Sequence, residues 1–164
     1  MLVRFQDSEE KPDSVANCLS LIGDDNKQSG QFAAAPMGEM RLVAVTATRE
    51  VVGIASGGPN REDSPVFTGE LYGLYVIPEF QRRGIGRKLV EAISAHLLSI
   101  TKKSMLVWSL SEEPYRRFYE KLGGLLLGER VVQIGGASVR EVAYGWMDLQ
   151  STFFAQANGA PAET

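Results

Sequence analysis

The alternation of apolar and polar positions divides the chain into short strands and a few helices. Residues 2–5 predict a short first strand. Helix-start residues follow at Ser8 to Asp13. Val15, Cys18, Leu19 and Ile22 then recur at i, i+3, i+4 and i+7, the pattern of an amphipathic helix. Residues 23–38 have no period and read as a loop. Residues 40–47 and 51–57, joined by the turn Thr48-Arg49-Glu50, predict an antiparallel hairpin. A polar loop, 58–65, comes next and reads as the rim of a site. Residues 71–77 form an unbroken apolar and aromatic run, as expected of a strand buried on both faces, and Pro78 ends it.

Leu89, Val90, Ile93, Leu97 and Ile100 mark the buried face of a helix from about 83 to about 99. Residues 104–110 read as the next strand, so strand, helix and strand form a right-handed parallel crossover. Acids and a proline at 111–114 begin another helix, with Tyr115, Phe118, Tyr119 and Leu122 on one face and Gly123-Gly124 at its end. Residues 125–134, bulged at Gly128, turn at Gly135-Gly136 and return over 139–149 as a hairpin. Beyond Gln150 the composition reads as a frayed tail. The expectation is one α/β domain over 1–149, a mixed sheet with helices on its faces, and a flexible tail over 150–164.

Composition narrows the function classes. The chain has 164 residues, 44% of them apolar, which suits one folded domain. A net charge of −3 with interspersed signs argues against nucleic-acid binding. Cys18 is the single cysteine, so neither an intrachain disulfide nor a cysteine metal cluster is expected. Cys18 itself reads as a small buried hydrophobe. His96 is the single histidine and lies a full helix away from the glycine-rich turn described next, so it reads as half-buried or solvated. Arg4 and Asp7 interrupt the N-terminus as a signal peptide, and no apolar run is long enough to span a bilayer. A cytoplasmic protein without membrane partners is the expectation.

The stretch that carries chemistry is Gln81-Arg82-Arg83-Gly84-Ile85-Gly86-Arg87. It places two glycines where a helix must start, directly after a strand. Free N–H groups and the helix dipole favour an anion there. Arg82, Arg83, Arg87 and Lys88 add positive charge. A phosphate or pyrophosphate cradle follows. A dinucleotide fingerprint would need glycine at 89, which is Leu89, and no Walker Gly-Lys-Ser/Thr occurs.

Gln81 to Gly86, placed after a strand ending Leu74-Tyr75-Val76-Ile77-Pro78, resembles the acetyl-CoA signature Gln/Arg-x-x-Gly-x-Gly/Ala of the GNAT superfamily of N-acetyltransferases. Phe118-Tyr119-Glu120-Lys121-Leu122-Gly123-Gly124 resembles a second segment of that family. The resemblance covers about two-thirds of the chain. It implies a centrally splayed sheet and acetyl-CoA as co-substrate, with no metal. The pyrophosphate would lie on the backbone of Gln81, Arg82, Arg83, Gly84, Ile85, Gly86 and Arg87. The pantetheine arm would pair with Leu74, Tyr75 and Val76. The family often carries an Asn before the second helix; here Glu113 stands in its place.

Acetyl transfer to an amine needs a base, because a lysine-like amine has a pKa of about 10.4, and a proton donor helps a thiolate whose thiol pKa is about 8.5. Glu70, eleven positions before Gln81, is the candidate base, the alternative being a rim glutamate paired with a nearby arginine. An ordinary glutamate pKa of about 4.3 requires burial to raise it. Tyr119 is the candidate acid by the resemblance, and otherwise a core aromatic. Tyr72 and Tyr75 read as core or pocket walls. A backbone N–H near Leu74 to Val76, freed by a bulge at Gly73, would hold the oxyanion. The expected reaction is direct acetyl transfer from acetyl-CoA to a primary amine of a small molecule. A peptide amine acceptor and a non-catalytic CoA-binding module are the alternatives. The C-terminal hairpin offers an edge for a homodimer.

Overall fold

A computed structural model describes residues 2–4, 19–20, 38–62, 64–111 and 115–155. Its strands are β1 (Leu2–Arg4), β2 (Leu19–Ser20), β3 (Met40–Val45), β4 (Val51–Pro59), β5 (Gly69–Val76), β6 (Met105–Leu110), β7 (Leu125–Ile134) and β8 (Ala137–Trp146). Its helices are α1 (Ile85–Ser99), α2 (Tyr115–Lys121) and α3 (Leu149–Phe154), with a 3-10 turn at Pro78–Phe80. The strands form one eight-stranded sheet in the order β2-β1-β3-β4-β5-β6-β8-β7. β1 runs parallel to β3, and β5 parallel to β6. The other neighbours are antiparallel. This is the mixed sheet with flanking helices that the hydrophobic pattern predicts.

α1 supplies the core on one face of the sheet. Leu89, Val90, Ile93 and Leu97 are fully buried against β4 and β5. Each such side chain contributes about 1.5–3 kcal/mol by leaving water. The helix sits close because β4 and β5 present glycine beneath it. A Cβ at Gly57 would lie 2.6 Å from Ile93 Cγ2 and 2.8 Å from the Glu70 carbonyl oxygen. Backbone on one side leaves no room to adjust. Gly57→Ala is therefore expected to destabilise the fold by about 1–3 kcal/mol, read as a lower midpoint in urea unfolding; an unchanged midpoint would mean that the helix can lift off at no cost.

Several local expectations need correction. Leu19 and Ser20 pair with Leu2 and Val3 as a strand, where their spacing predicts a helix. The rest of that helix, Cys18 included, lies outside the described residues, as do the 23–37 loop and Glu113. α1 begins at Ile85 rather than near Arg83, because Arg82 and Gly84 both take positive φ. The last strand ends at Trp146. Leu149–Phe154 is a helix where a frayed tail is expected. The Asp148 carboxylate accepts from the Ser151 N–H at 3.1 Å, the buried Leu149 anchors the helix, and Phe153 packs on Trp146. That side-chain cap holds the Asp148 carboxyl below its ordinary value.

The bulge in β7 falls between Leu126 and Gly128, beside the glycine that signals it. The bulge in β5 is at Tyr72, one residue before Gly73: Gly73 faces Ser56, Leu71 faces Gly57, and Tyr72 has no partner between them. β5 is not buried on both faces throughout. Gly69 to Leu71 are buried, but Tyr75 is 55% exposed. The reason is that β6 accompanies β5 only from Gly69 to Leu71. Beyond that point the two strands part.

Candidate functional site

The parting of β5 and β6 leaves backbone facing an open gap. Ile77 donates its N–H to Val52 O on β4 at 3.0 Å. Alternation along a strand turns the N–H and C=O of Val76 and Leu74 the other way, into the gap. Gln81 Nε2 donates to Val76 O at 2.9 Å and so ties the following turn to the strand.

The floor of the gap is the start of α1. Gly84 occupies the N-cap with φ +81°, and no side chain caps the helix. Serine or aspartate would usually stand at such a position and satisfy the N–H groups of the first turn. Lys88 is the first residue to reach back, to Gly84 O at 3.1 Å. The N–H groups of Ile85, Gly86 and Arg87 precede it and have no intrahelical acceptor. Arg82, at φ +62°, turns the chain into this arrangement.

These elements bound a cleft of about 580 Å³. Leu74, Tyr75, Val76, Gln81, Arg82 and Gly86 line it from the strand and turn, and Tyr115, Arg117, Phe118, Tyr119 and Lys121 from α2. The volume suits an organic cofactor or substrate. Six of the residues expected to hold the co-substrate therefore meet in one cleft. Gly84 shapes the turn, the Ile85 side chain is in the core, Arg83 stacks on Phe80 and Arg87 pairs with Glu91 at 2.8 Å. What Ile85 and Arg87 offer the cleft is backbone. Tyr115, Arg117 and Lys121 are absent from the sequence-level site. Their signal was the i, i+4 spacing of Tyr115 with Tyr119 and of Arg117 with Lys121 on one helix.

Tyr119 lines the cleft and is nine-tenths buried. α2 is only seven residues long, so its position rests on tertiary contacts. Trp146 Nε1 donates to Leu122 O at 2.9 Å, and Tyr144 Oη donates to Glu120 Oε1 at 3.0 Å. Tyr119 stacks on Tyr144 and meets Trp146 and Phe118 edge-on. Burial pushes its phenol up to about 12, against a hydrogen bond with Ser109 that acts the other way. It is protonated throughout the neutral range. Core aromatic and cleft wall are thus both true of Tyr119.

Glu70 lies elsewhere. Gly69 and Leu71 face α1, so alternation turns Glu70 to the opposite face, at the root of the split. It is 3% exposed and paired with Arg61: Oε1 accepts from Nη2 at 2.5 Å, and Oε2 from Nε at 3.2 Å and from the Arg61 backbone N–H at 3.0 Å. The carboxylate is buried and an arginine pairs with it, so the pairing named as the alternative to a base is present. The Arg61 guanidinium also covers the Tyr72 ring at 4.2 Å, and Tyr72 Oη donates to Pro59 O. Arg61 itself is absent from the sequence-level site. His96 is remote from both places; its Nε2 meets Gly38 O at 2.8 Å. No group of three or more metal-ligating side chains occurs among the described residues. No described helix is long and apolar enough to cross a membrane.

A sheet that splits beside an uncapped, glycine-bearing helix start is the arrangement that the resemblance to the GNAT superfamily implies. Residues 60–132 match the family described as FR47-like protein. An uncharacterized N-acetyltransferase of Bacillus subtilis (strain 168), YuaI, is 36% identical over 110 residues, which are 67% of this chain and 64% of that protein. The match thus spans just under two-thirds of the relative's length. Among solved structures, a protein from Desulfovibrio desulfuricans assigned to the GNAT acetyltransferase family is 22% identical, with a TM-score of 0.55 over 68% of this chain and 70% of its own. YncA from Salmonella typhimurium, assigned as an acetyltransferase and solved with its cofactor acetyl-CoA, is 25% identical, with a TM-score of 0.50 over 59% and 58%. Over these residues the chain is similar to acetyltransferases of the GNAT type, and it shares the fold of those solved structures.

Proposed function

We propose that this protein is an acetyl-CoA-dependent N-acetyltransferase acting on a primary amine of a small molecule. The observation that carries the reading is the split between β5 and β6, floored by the uncapped start of α1. Pantetheine amides can pair with Leu74 and Val76 in the gap, as a further strand would. The pyrophosphate meets the N–H groups of Ile85, Gly86 and Arg87. Arg82, Arg117 and Lys121 supply positive charge along the cleft.

The chemistry follows from the two sides of the split. The amine nitrogen attacks the thioester carbonyl carbon from the Glu70 side, and a backbone N–H of Leu74 or Val76 receives the developing oxyanion. The carbon–sulfur bond then breaks, and the sulfur leaves with its electron pair. The Tyr119 phenol gives that sulfur its proton, and the amine's proton passes to Glu70, directly or through water. No covalent enzyme intermediate is required. Glu70→Gln is expected to lower kcat by roughly 100-fold or more and to flatten the acid limb of the rate–pH profile. An unaltered profile would remove Glu70 from the reaction.

The preference for a small acceptor rests on the loop after β4. It closes over the Glu70 side of the sheet: Arg61 binds Glu70 on β5, and Glu62 accepts from Arg130 on β7 at 2.5 Å. A covered approach favours a compact amine over an extended peptide. Thiol release measured across a panel of small amines and peptides tests this; turnover of peptides alone would reverse it.

A further inference from the structure

We propose that Arg61 is a positioning residue for acetyl transfer, one that fixes which oxygen of Glu70 receives the acceptor amine. The inference rests on the reading of Glu70 as the base. Each carboxylate oxygen has two acceptor directions. On Oε2 both are filled, by the Arg61 N–H and Nε. On Oε1 one is filled, by Nη2. Among the described residues one direction on Oε1 is left, and it is the place for the amine or the water that relays its proton.

The loop is built to hold Arg61 there. Asn60 N donates to Thr68 O at 3.1 Å, and Asn60 Nδ2 to Phe67 O at 2.8 Å. Asn60 Oδ1 accepts from the Glu62 N–H at 2.9 Å. These bonds close residues 60–68 into a loop and direct Arg61 back onto β5. The next residue, Glu62, is anchored to Arg130, whose guanidinium stacks on Trp108 at 3.7 Å and donates to Glu141 at 2.8 Å. Consecutive residues thus grip two different strands.

Among the described residues, Arg61 from the loop bonds Glu70 directly. Tyr72 on β5 and Glu39, before β3, act on Arg61 in turn, and Glu39 is paired with Arg41 on β3 at 3.7 Å. The β6 residue in register with Glu70 is the apolar Leu106. Burial, with the charges of Glu39 and Glu70, raises the Tyr72 phenol above its ordinary value, so Tyr72 stays neutral. Among the described residues, Arg61 is the cation that bonds Glu70 itself.

Charge and geometry separate in two variants. Arg61→Ala removes both. Its acid limb is expected to move to higher pH, the direction for loss of an adjacent opposite charge, with a fall in kcat and unchanged acetyl-CoA affinity. Arg61→Lys keeps the charge but not the two-pronged grip. Its acid limb is expected near that of the unaltered enzyme, while kcat remains low. Thermal unfolding of both variants checks the fold; if Arg61→Ala does not fold, Arg61→Gln takes its place. An Arg61→Ala profile and kcat equal to those of the unaltered enzyme, beside an impaired Glu70→Gln, overturn the Arg61 role alone. A Glu70→Gln enzyme with unaltered rate and profile overturns both readings together.

Discussion

Replacing Gly86 with leucine is expected to weaken acetyl-CoA binding by roughly 100-fold or more, about 2.8 kcal/mol at 1.4 kcal/mol per tenfold. Gly86 lines the cleft in the first turn of α1. A Cβ there would already lie 3.2 Å from two ring atoms of Phe118. A longer side chain has to push Phe118 aside or fill the cleft, and in either case it stands between the α1 N–H groups and a bound phosphate. The loss should appear in calorimetry, with the fold retained by circular dichroism. Affinity unchanged within a factor of two would mean that the anion binds elsewhere and that Gly86 serves only the packing of α2 on α1. Gly84 is a different case. A Cβ there meets nothing within 4 Å, so its importance lies in its φ of +81°, which other residues adopt only with strain.

Tyr119→Phe is expected to lower kcat by about 100- to 1000-fold, within the range for a lost general acid, with little change in acetyl-CoA affinity. The ring survives in phenylalanine, so its stacking on Tyr144 and Trp146 survives too. What disappears is the proton. Because burial pushes the phenol up to about 12, the acid form is available at any working pH. The unaltered enzyme should therefore show no falling basic limb from Tyr119 below about pH 11. A Phe variant with full turnover would reduce Tyr119 to a core aromatic and assign protonation of the sulfur to solvent.

What the sequence reveals depends on how local the physics is. The cradle is legible because its parts are contiguous: a strand-ending proline, a short turn, two glycines and the first apolar turns of a helix. Tyr119 is legible only through a resemblance, since its own spacing says core, and the structure gives it both a core and a cleft environment. The open second half of β5 is not legible. An apolar run such as Leu71 to Ile77 looks buried, and only the departure of β6 after Leu71 exposes Tyr75. The Arg61–Glu70 pair spans nine positions and depends on how the loop closes, which no periodicity encodes. α3 was hidden for another reason. Its cap, Asp148 with Ser151, is a readable signal, but the small residues that follow it set the impression of a tail.

The central claim is that the cleft between β5, α1 and α2 holds acetyl-CoA, and its most direct test is a calorimetric titration of the folded chain with acetyl-CoA. The expected result is one site with a micromolar dissociation constant, about −8 kcal/mol. A flat titration, with a protein that gives a cooperative thermal transition, would contradict it: the glycines of α1 would then serve packing alone, and the enzymatic reading would have no donor.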